Sequence, residues 1–273
     1  MFSLAQAVMA LSITACFFPP LNASELALAF ADTESRPLKD VETRLMLHAD
    51  TAEDTNGTQY QKSDKSGIVS FESIEPGTYL FQAQKKGYVP LRLTLELSAD
   101  TKRNQVLVKT SQFEKIEEQA AALGKEGRAK ESIELLENLL RSYPEDGLLH
   151  NRLAFQYADL PDPEKALAAA QLAARFDTQF VSSPDQVRRI LLRASAEQAL
   201  HDRDFPAAIE KFEALARAAE NDPAGYHGLA LAYGHTGRYK EALEAIGKAI
   251  ALDPDDDALQ QVRTILTINA EAQ

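Results

Sequence analysis

Hydrophobic spacing divides this 273-residue chain into stretches of different period. From Ser24 to Thr110 the apolar residues recur every second position. Leu26, Leu28 and Phe30 alternate with small residues, and Val41, Thr43, Leu45 and Leu47 alternate with residues such as Glu42 and Arg44. A period of two sends successive side chains to opposite faces, so these runs predict strands with one face buried. Ile68–Phe71, Thr78–Ala83, Leu91–Leu97 and Val106–Val108 continue the series. Turn residues separate them at Ser35-Arg36-Pro37, Thr55-Asn56-Gly57, Lys65-Ser66-Gly67, Glu75-Pro76-Gly77 and Lys86-Gly87. About seven short strands spaced in this way predict a β-sandwich. Gly67 and Gly77 are expected at positive φ in tight turns, and Tyr79 and Phe81 are expected to point inward with Phe71.

From Gln112 onward the period becomes helical, and β-branched runs give way to Ala, Leu, Glu and Lys. The helices come in pairs. The clearest pair runs from Pro223 to Pro254 and is joined at Thr236-Gly237-Arg238. Four markers, Gly127/Ser132, Leu160/Ala166, Arg203/Ala208 and Gly237/Ala242, recur at spacings of 34, 42 and 34 residues. One helix pair cannot bury its apolar face alone, so the repetition predicts a stack. The extra residues of the long interval, near Asp177–Gln186, are expected as a loop or a helix extension. A last helix over Asp256–Ala272 is expected to cap the stack with Leu259, Val262, Ile265 and Leu266. The predicted fold class is therefore multi-domain: a small all-β sandwich over 24–110, then an all-α solenoid of about four repeats over 111–273.

Both halves resemble known families. Ser63-Asp64-Lys65-Ser66-Gly67, Val69, Phe71, Ile74-Glu75-Pro76-Gly77-Thr78-Tyr79 and Gly87-Tyr88 resemble the DxxGxxxFxxLxPGxYxLxxxxxGY core of carboxypeptidase-regulatory-like, or transthyretin-like, domains. The resemblance implies a passive spacer or docking module. A carbohydrate or peptidoglycan site on the sandwich is the alternative, with Tyr60 and Tyr88 as the candidate platforms in a chain that has no Trp. The helical half resembles tetratricopeptide repeats (TPR). In the fourth repeat Tyr226, Leu229, Ala230 and Tyr233 occupy the family's first-helix positions, and Gly237, Tyr239, Ala242, Ile246, Ala249, Leu252 and Pro254 follow in order. The second repeat matches through Leu153, Ala154, Tyr157, Ala166, Ala173 and Phe176, and the first, more weakly, through Ile116, Ala120, Leu123 and Gly127. The third departs most, placing Arg203 where the turn glycine belongs. Small residues at 230, 242 and 249 would let paired helices approach closely.

TPR arrays bind along the concave surface lined by the first helix of each repeat. Carried onto this chain, the resemblance implies Glu117, Ala121 and Lys125 in the first repeat. It implies Asn151, Phe155 and Asp159 in the second, Arg193, Glu197 and His201 in the third, and His227, Leu231 and His235 in the fourth. The family's carboxylate clamp needs Lys and Asn where Glu117 and Ala121 stand, which argues against that specialised role. Phe155 and Leu231 flanked by charge suit a peptide or helix with apolar anchors and some basic character. His227 and His235 are two turns apart, about 12 Å along a helix, too far to share one ion. No metal or cofactor is expected.

Charge and composition refine this picture. The net charge is −12; residues 1–110 carry 11 basic against 13 acidic groups, so the balance of −10 belongs to the rest. That acidity argues against a nucleic-acid or anionic-membrane surface on the helical half. The single cysteine, Cys16, excludes an intramolecular disulfide. Residues 1–23 are apolar and nearly uncharged, as in a secretory signal peptide cleaved before Ser24. Ile13-Thr14-Ala15-Cys16 also resembles the lipobox of bacterial lipoproteins, which would acylate Cys16 and attach the chain to a membrane; a retained N-terminal anchor is the third reading. All three place the body outside the cytoplasm, in the periplasm or against the outer membrane. HExxH, GxSxG, P-loop and GxGxxG patterns are missing from the sequence. The expectation is an exported, non-catalytic scaffold that binds a protein or peptide, with its oligomeric state open.

Overall fold

The computed structural model describes residues 25–47, 58–97, 101–160 and 162–272. The expected leader with Cys16 and the Asn56-Gly57 turn lie outside these residues. Seven strands come first among them: β1 (Leu26–Ala31), β2 (Glu42–Leu47), β3 (Gln59–Lys62), β4 (Ile68–Phe71), β5 (Gly77–Gln84), β6 (Leu91–Leu97) and β7 (Thr101–Val106). Nine α-helices follow: α1 (Thr110–Lys125), α2 (Ala129–Ser142), α3 (Gly147–Ala158), α4 (Pro163–Phe176), α5 (Ser183–His201), α6 (Phe205–Ala218), α7 (Pro223–His235), α8 (Tyr239–Leu252) and α9 (Asp257–Glu271). The change from strand to helix falls between Val106 and Thr110. The compact units divide elsewhere: described residues up to 160 together with 168–181 form one, and 162–167 with 182–272 form the other.

In the first unit the strands make a three-stranded sheet, β4-β1-β7, and a four-stranded antiparallel sheet, β3-β2-β5-β6. Phe30 and Phe71 of the first sheet meet Phe81 of the second, each at 6.2 Å between ring centres. Tyr79 is buried beside them and donates its hydroxyl to the Glu75 carbonyl at 2.9 Å. The alternation of β5, β6 and β2 as far as Leu45 translates directly into buried and open faces, but Leu47, expected on the buried face, is 55% exposed at the end of β2. β1 differs from the expectation: Ala27 and Ala29 are as buried as Leu26, Leu28 and Phe30. Its alternation is of large and small residues, so it describes fit between two covered faces rather than exposure of one. Gly67 has φ +76, and a Cβ there would stand 2.4 Å from the Phe30 carbonyl oxygen. Asp64 completes that turn by accepting from the Ser66 and Ile68 amides at 2.8 and 2.9 Å. Gly77 corrects the second glycine expectation, since it opens β5 without a positive φ. The final strand also runs earlier than the apolar run Val106–Val108 suggested.

Within the same unit α1 and α2 are fastened to the strands. Tyr143, just past α2, is 3% exposed; its hydroxyl accepts from the Val108 amide at 2.7 Å and donates to the Val89 carbonyl at 3.4 Å. Its ring meets Phe113 of α1 edge-on at 5.5 Å. Gln105 donates to the Ser142 carbonyl at 2.7 Å, and Glu145 accepts from the Thr94 amide and hydroxyl at 2.5 and 3.2 Å. α2 packs against both α1 and α3.

The second unit repeats one layering. α6 lies against α5 and α7, α8 lies against α7 and α9, and α7 also touches α5 and α9. First helices therefore form one layer and second helices another, which is the arrangement that stacked helix pairs require. Ala230, Ala242 and Ala249 are fully buried where the pairs approach. Gly225 and Gly228 take the approach further: a Cβ on Gly228 would stand 2.2 Å from the Phe212 ring, and one on Gly225 2.8 Å from the Ala216 nitrogen. Arg203 adopts φ +60, where the corresponding Gly237 has φ +74. Of the residues inserted near Asp177–Gln186, Thr178–Phe180 form a 3₁₀ turn that belongs to the first unit, and the later ones lengthen α5 to 19 residues. On α9, Leu259 and Leu266 are buried and Val262 packs against the same core. Ile265, expected with them, is 57% exposed, because it points away from the line that Leu259, Val262 and Leu266 make at helical spacing.

Candidate functional site

The first helices hold the residues expected to meet a ligand, and the two compact units are taken in turn. In the first, Glu117 of α1 faces Arg152 of α3 with 3.0 Å between Oε1 and Nε. Neither atom has hydrogen-bond geometry, so the contact is ionic. Burial pushes the Glu117 carboxyl above its usual range although Arg152 pulls the other way. Ala121 is half-buried and Lys125 exposed at the end of α1. On α3, Asn151 and Phe155 are half-buried, while Asp159 is exposed one residue beyond the helix. Gly124 leaves room for the Gln156 amide, which would lie 2.6 Å from a Cβ there.

In the second unit Arg193 and Glu197 form an exposed i,i+4 pair on α5, with Nε and Oε1 2.8 Å apart. His201 ends that helix in solvent. His227 on α7 is half-buried, and its pKa is lowered by burial and by the Arg193 charge, partly opposed by Asp256. Leu231, one turn on, is half-buried, and His235 ends α7 stacked on Phe205 with ring centres 5.2 Å apart. α5 and α7 thus bring Arg193 near His227, with Leu231 one turn further along α7, while His201 and His235 mark the helix ends. Among the described residues, no three His, Cys, Asp or Glu side chains stand close enough to share a metal ion.

Sequence reasoning missed the groups that fix these faces. Tyr157 of α3 donates to Glu137 of α2 at 2.5 Å, and Tyr233 of α7 donates to Glu213 of α6 at 3.1 Å, twenty residues apart in both cases. The same bond therefore ties a second helix to the next first helix in both units. Its signal was present in the sequence as a glutamate at a constant offset before each repeat tyrosine.

The tetratricopeptide repeat family model matches residues 223–256, which are α7, α8 and the whole α8–α9 connection. Those residues form a tetratricopeptide repeat. Superkiller protein 3 of Schizosaccharomyces pombe is 40% identical over 57 residues, 21% of this chain and 4% of the yeast protein. The chain thus spans a small fraction of that relative's length. Among solved structures, MamA (41-end) from Desulfovibrio magneticus RS-1 is 18% identical, with TM-score 0.35 over 58% of this chain and 87% of that one. The C-terminal TPR-containing domain of a Plasmodium falciparum FK506-binding protein is 15% identical, with TM-score 0.34 over 46% and 89%.

Proposed function

We propose that this protein is a non-catalytic scaffold whose first helices bind a partner polypeptide. The observation that carries the reading is the layering of the second unit, in which α5, α7 and α9 form one layer backed by α6 and α8. That layer carries His227 near Arg193 and, one turn along α7, half-buried apolar Leu231, a mixture suited to anchoring a helix or extended peptide. Phe155 offers a comparable anchor on α3. The β region is read as a carboxypeptidase-regulatory-like positioning module, supported by the Asp64–Gly67 turn and the inward Tyr79. Residues 1–23 support an exported protein of the bacterial cell envelope. A photo-crosslinker at position 155 or 231, in the native host, should capture one discrete polypeptide. Phe155→Ala combined with Arg193→Ala should abolish co-purification of that polypeptide. Undiminished co-purification by the folded double variant would refute binding through these faces.

A further inference from the structure

The outer face of the four-stranded sheet carries an arrangement that the scaffold reading does not use. Strand register sets Tyr60, Arg44, Gln82 and Arg92 side by side across β3, β2, β5 and β6. The next row along the strands is Lys62, Glu42 and Gln84. The two rows line a depression of about 940 Å³, within the size range of small-ligand sites.

The second row satisfies itself, since Glu42 accepts from Lys62 at 2.7 Å and from Gln84 at 3.2 Å. Further along β6, Glu145 gives its carboxylate to Thr94. The first row is not balanced in this way. Arg44 and Arg92 form no ion pair among the described residues, although the chain as a whole is strongly acidic. Arg44 Nε is buried and has no acceptor there. Its guanidinium carbon lies 5.6 Å from the centre of the Tyr60 ring, and Tyr60 itself is 68% exposed. Nε itself is out of a ligand's reach, but the rest of the guanidinium has no carboxylate beside it, and a carboxylate is the partner a guanidinium accommodates best.

Two uncompensated arginines flank an amide at about one strand spacing on either side, roughly 10 Å end to end. Around them stand the polar Glu42, Lys62 and Gln84, the open Tyr60 ring and, at one end, Pro90. Peptides bind sheets at free edges or through pockets for alternate side chains, whereas this surface is a face of planar hydrogen-bonding groups. Vicinal hydroxyls and carboxylates match such groups, and a sugar ring can lie on an exposed tyrosine. We infer that this face binds an acidic oligosaccharide, with Arg44 and Arg92 holding sugar carboxylates, Gln82 a hydroxyl and Tyr60 the flat side of a ring.

The test is calorimetric titration of the full chain with a galacturonic acid tetramer. Binding should appear at or below millimolar concentration and weaken as salt is raised. Arg92→Gln, on an exposed position, should weaken it several-fold, Arg44→Gln with Arg92→Gln at least tenfold, and Tyr60→Ala several-fold. Circular dichroism melting should show the variants folded, and partner capture by the helical faces should persist in them, which separates this site from the scaffold reading. No binding at millimolar tetramer would overturn the inference. Equal binding of neutral maltotetraose, equal binding of a glutamate-rich peptide, or affinity unchanged in the double arginine variant would overturn it too.

Discussion

Replacing Tyr143 with Phe removes one oxygen and leaves the ring against Phe113. That oxygen is the acceptor for the Val108 amide at 2.7 Å and a donor to Val89 at the longer distance of 3.4 Å. Val108 is as buried as Tyr143, so water does not replace the lost acceptor. An orphaned buried N–H costs about 1–3 kcal/mol, and the longer second bond adds little, so about 2 kcal/mol is expected. With a urea dependence of about 2 kcal/mol per molar, the unfolding midpoint of this unit should fall by about 1 M. The chain has no Trp, so far-UV circular dichroism is the practical probe, with hydrogen exchange at the Val108 amide as the local one. The wild type also has an alkaline limb to compare. Burial raises the Tyr143 pKa well above its ordinary value, with the Val108 bond only partly opposing it. A raised folded pKa means the stability is fully present below about pH 10 and is lost as pH climbs towards the folded value, at about 1.4 kcal/mol per pH unit. Tyr143→Phe should lack that part of the limb. A stability change under about 0.5 kcal/mol, with Val108 exchange unaltered, would refute the claim that this hydroxyl fastens the first helix pair to the strands.

Gly228→Ala should destabilise the second unit by about 1–2 kcal/mol, because the gain in helix propensity is smaller than the clash with Phe212; a thermal melt that rises instead counts against the close packing. Arg203→Gly should stabilise the same unit by about 0.5–1 kcal/mol by relieving the left-handed backbone at φ +60, and loss of stability in urea would contradict it. Burial of Asp32 raises its pKa, but bonds from the Arg36 amide and side chain and the Glu34 amide outweigh this and leave it below the usual carboxylate range. Its contribution is therefore present above about pH 4 and lost as pH falls through the depressed value, so Asp32→Asn should cost about 2 kcal/mol at neutral pH. The difference from wild type should shrink in acid, and a gap that stays constant down to pH 2 would exclude this origin.

The order of elements was legible because period two and period 3.6 occupy separate stretches, and Gly237 and Arg203 marked equivalent turns whatever residue stood there. β3 was not legible, since Gln59-Tyr60-Gln61-Lys62 is an edge strand with little apolar content to pattern. Nor was the fastening of α1 and α2 to the strands, which depends on a Tyr143 hydroxyl that reads in sequence as one more aromatic. Ile265 misled for a related reason: an apolar residue next to a true core position satisfies composition but not phase. For the candidate faces, sequence named the positions through the repeat and missed what holds them, namely Glu137, Glu213 and Gly228. Those residues act across helices, so the period within one helix does not reveal them; only the shared twenty-residue offset of Glu137 and Glu213 from Tyr157 and Tyr233 does.

The acidity of residues 111–273 takes on a different meaning once its carboxylates are located. Asp146, Asp204, Asp222 and Asp256 accept backbone N–H bonds at the starts of α3, α6, α7 and α9, and Asp162 does the same for Lys165. Such caps favour the negative charge through local hydrogen bonds and the helix dipole, whatever binds elsewhere. Glu131, Glu241 and Glu197 are paired with Arg128, Arg238 and Arg193, and Glu117 with Arg152. Nine of the 28 acidic groups of residues 111–273 are thus engaged at helix starts or in these intramolecular pairs. On the scaffold reading proposed above, recognition by the first-helix faces would rest on the groups that remain half-open, Phe155 and Leu231 above all. An apolar anchor fitted to Phe155, or a separate one fitted to Leu231, should therefore matter more to recognition than any basic segment fitted to the overall charge.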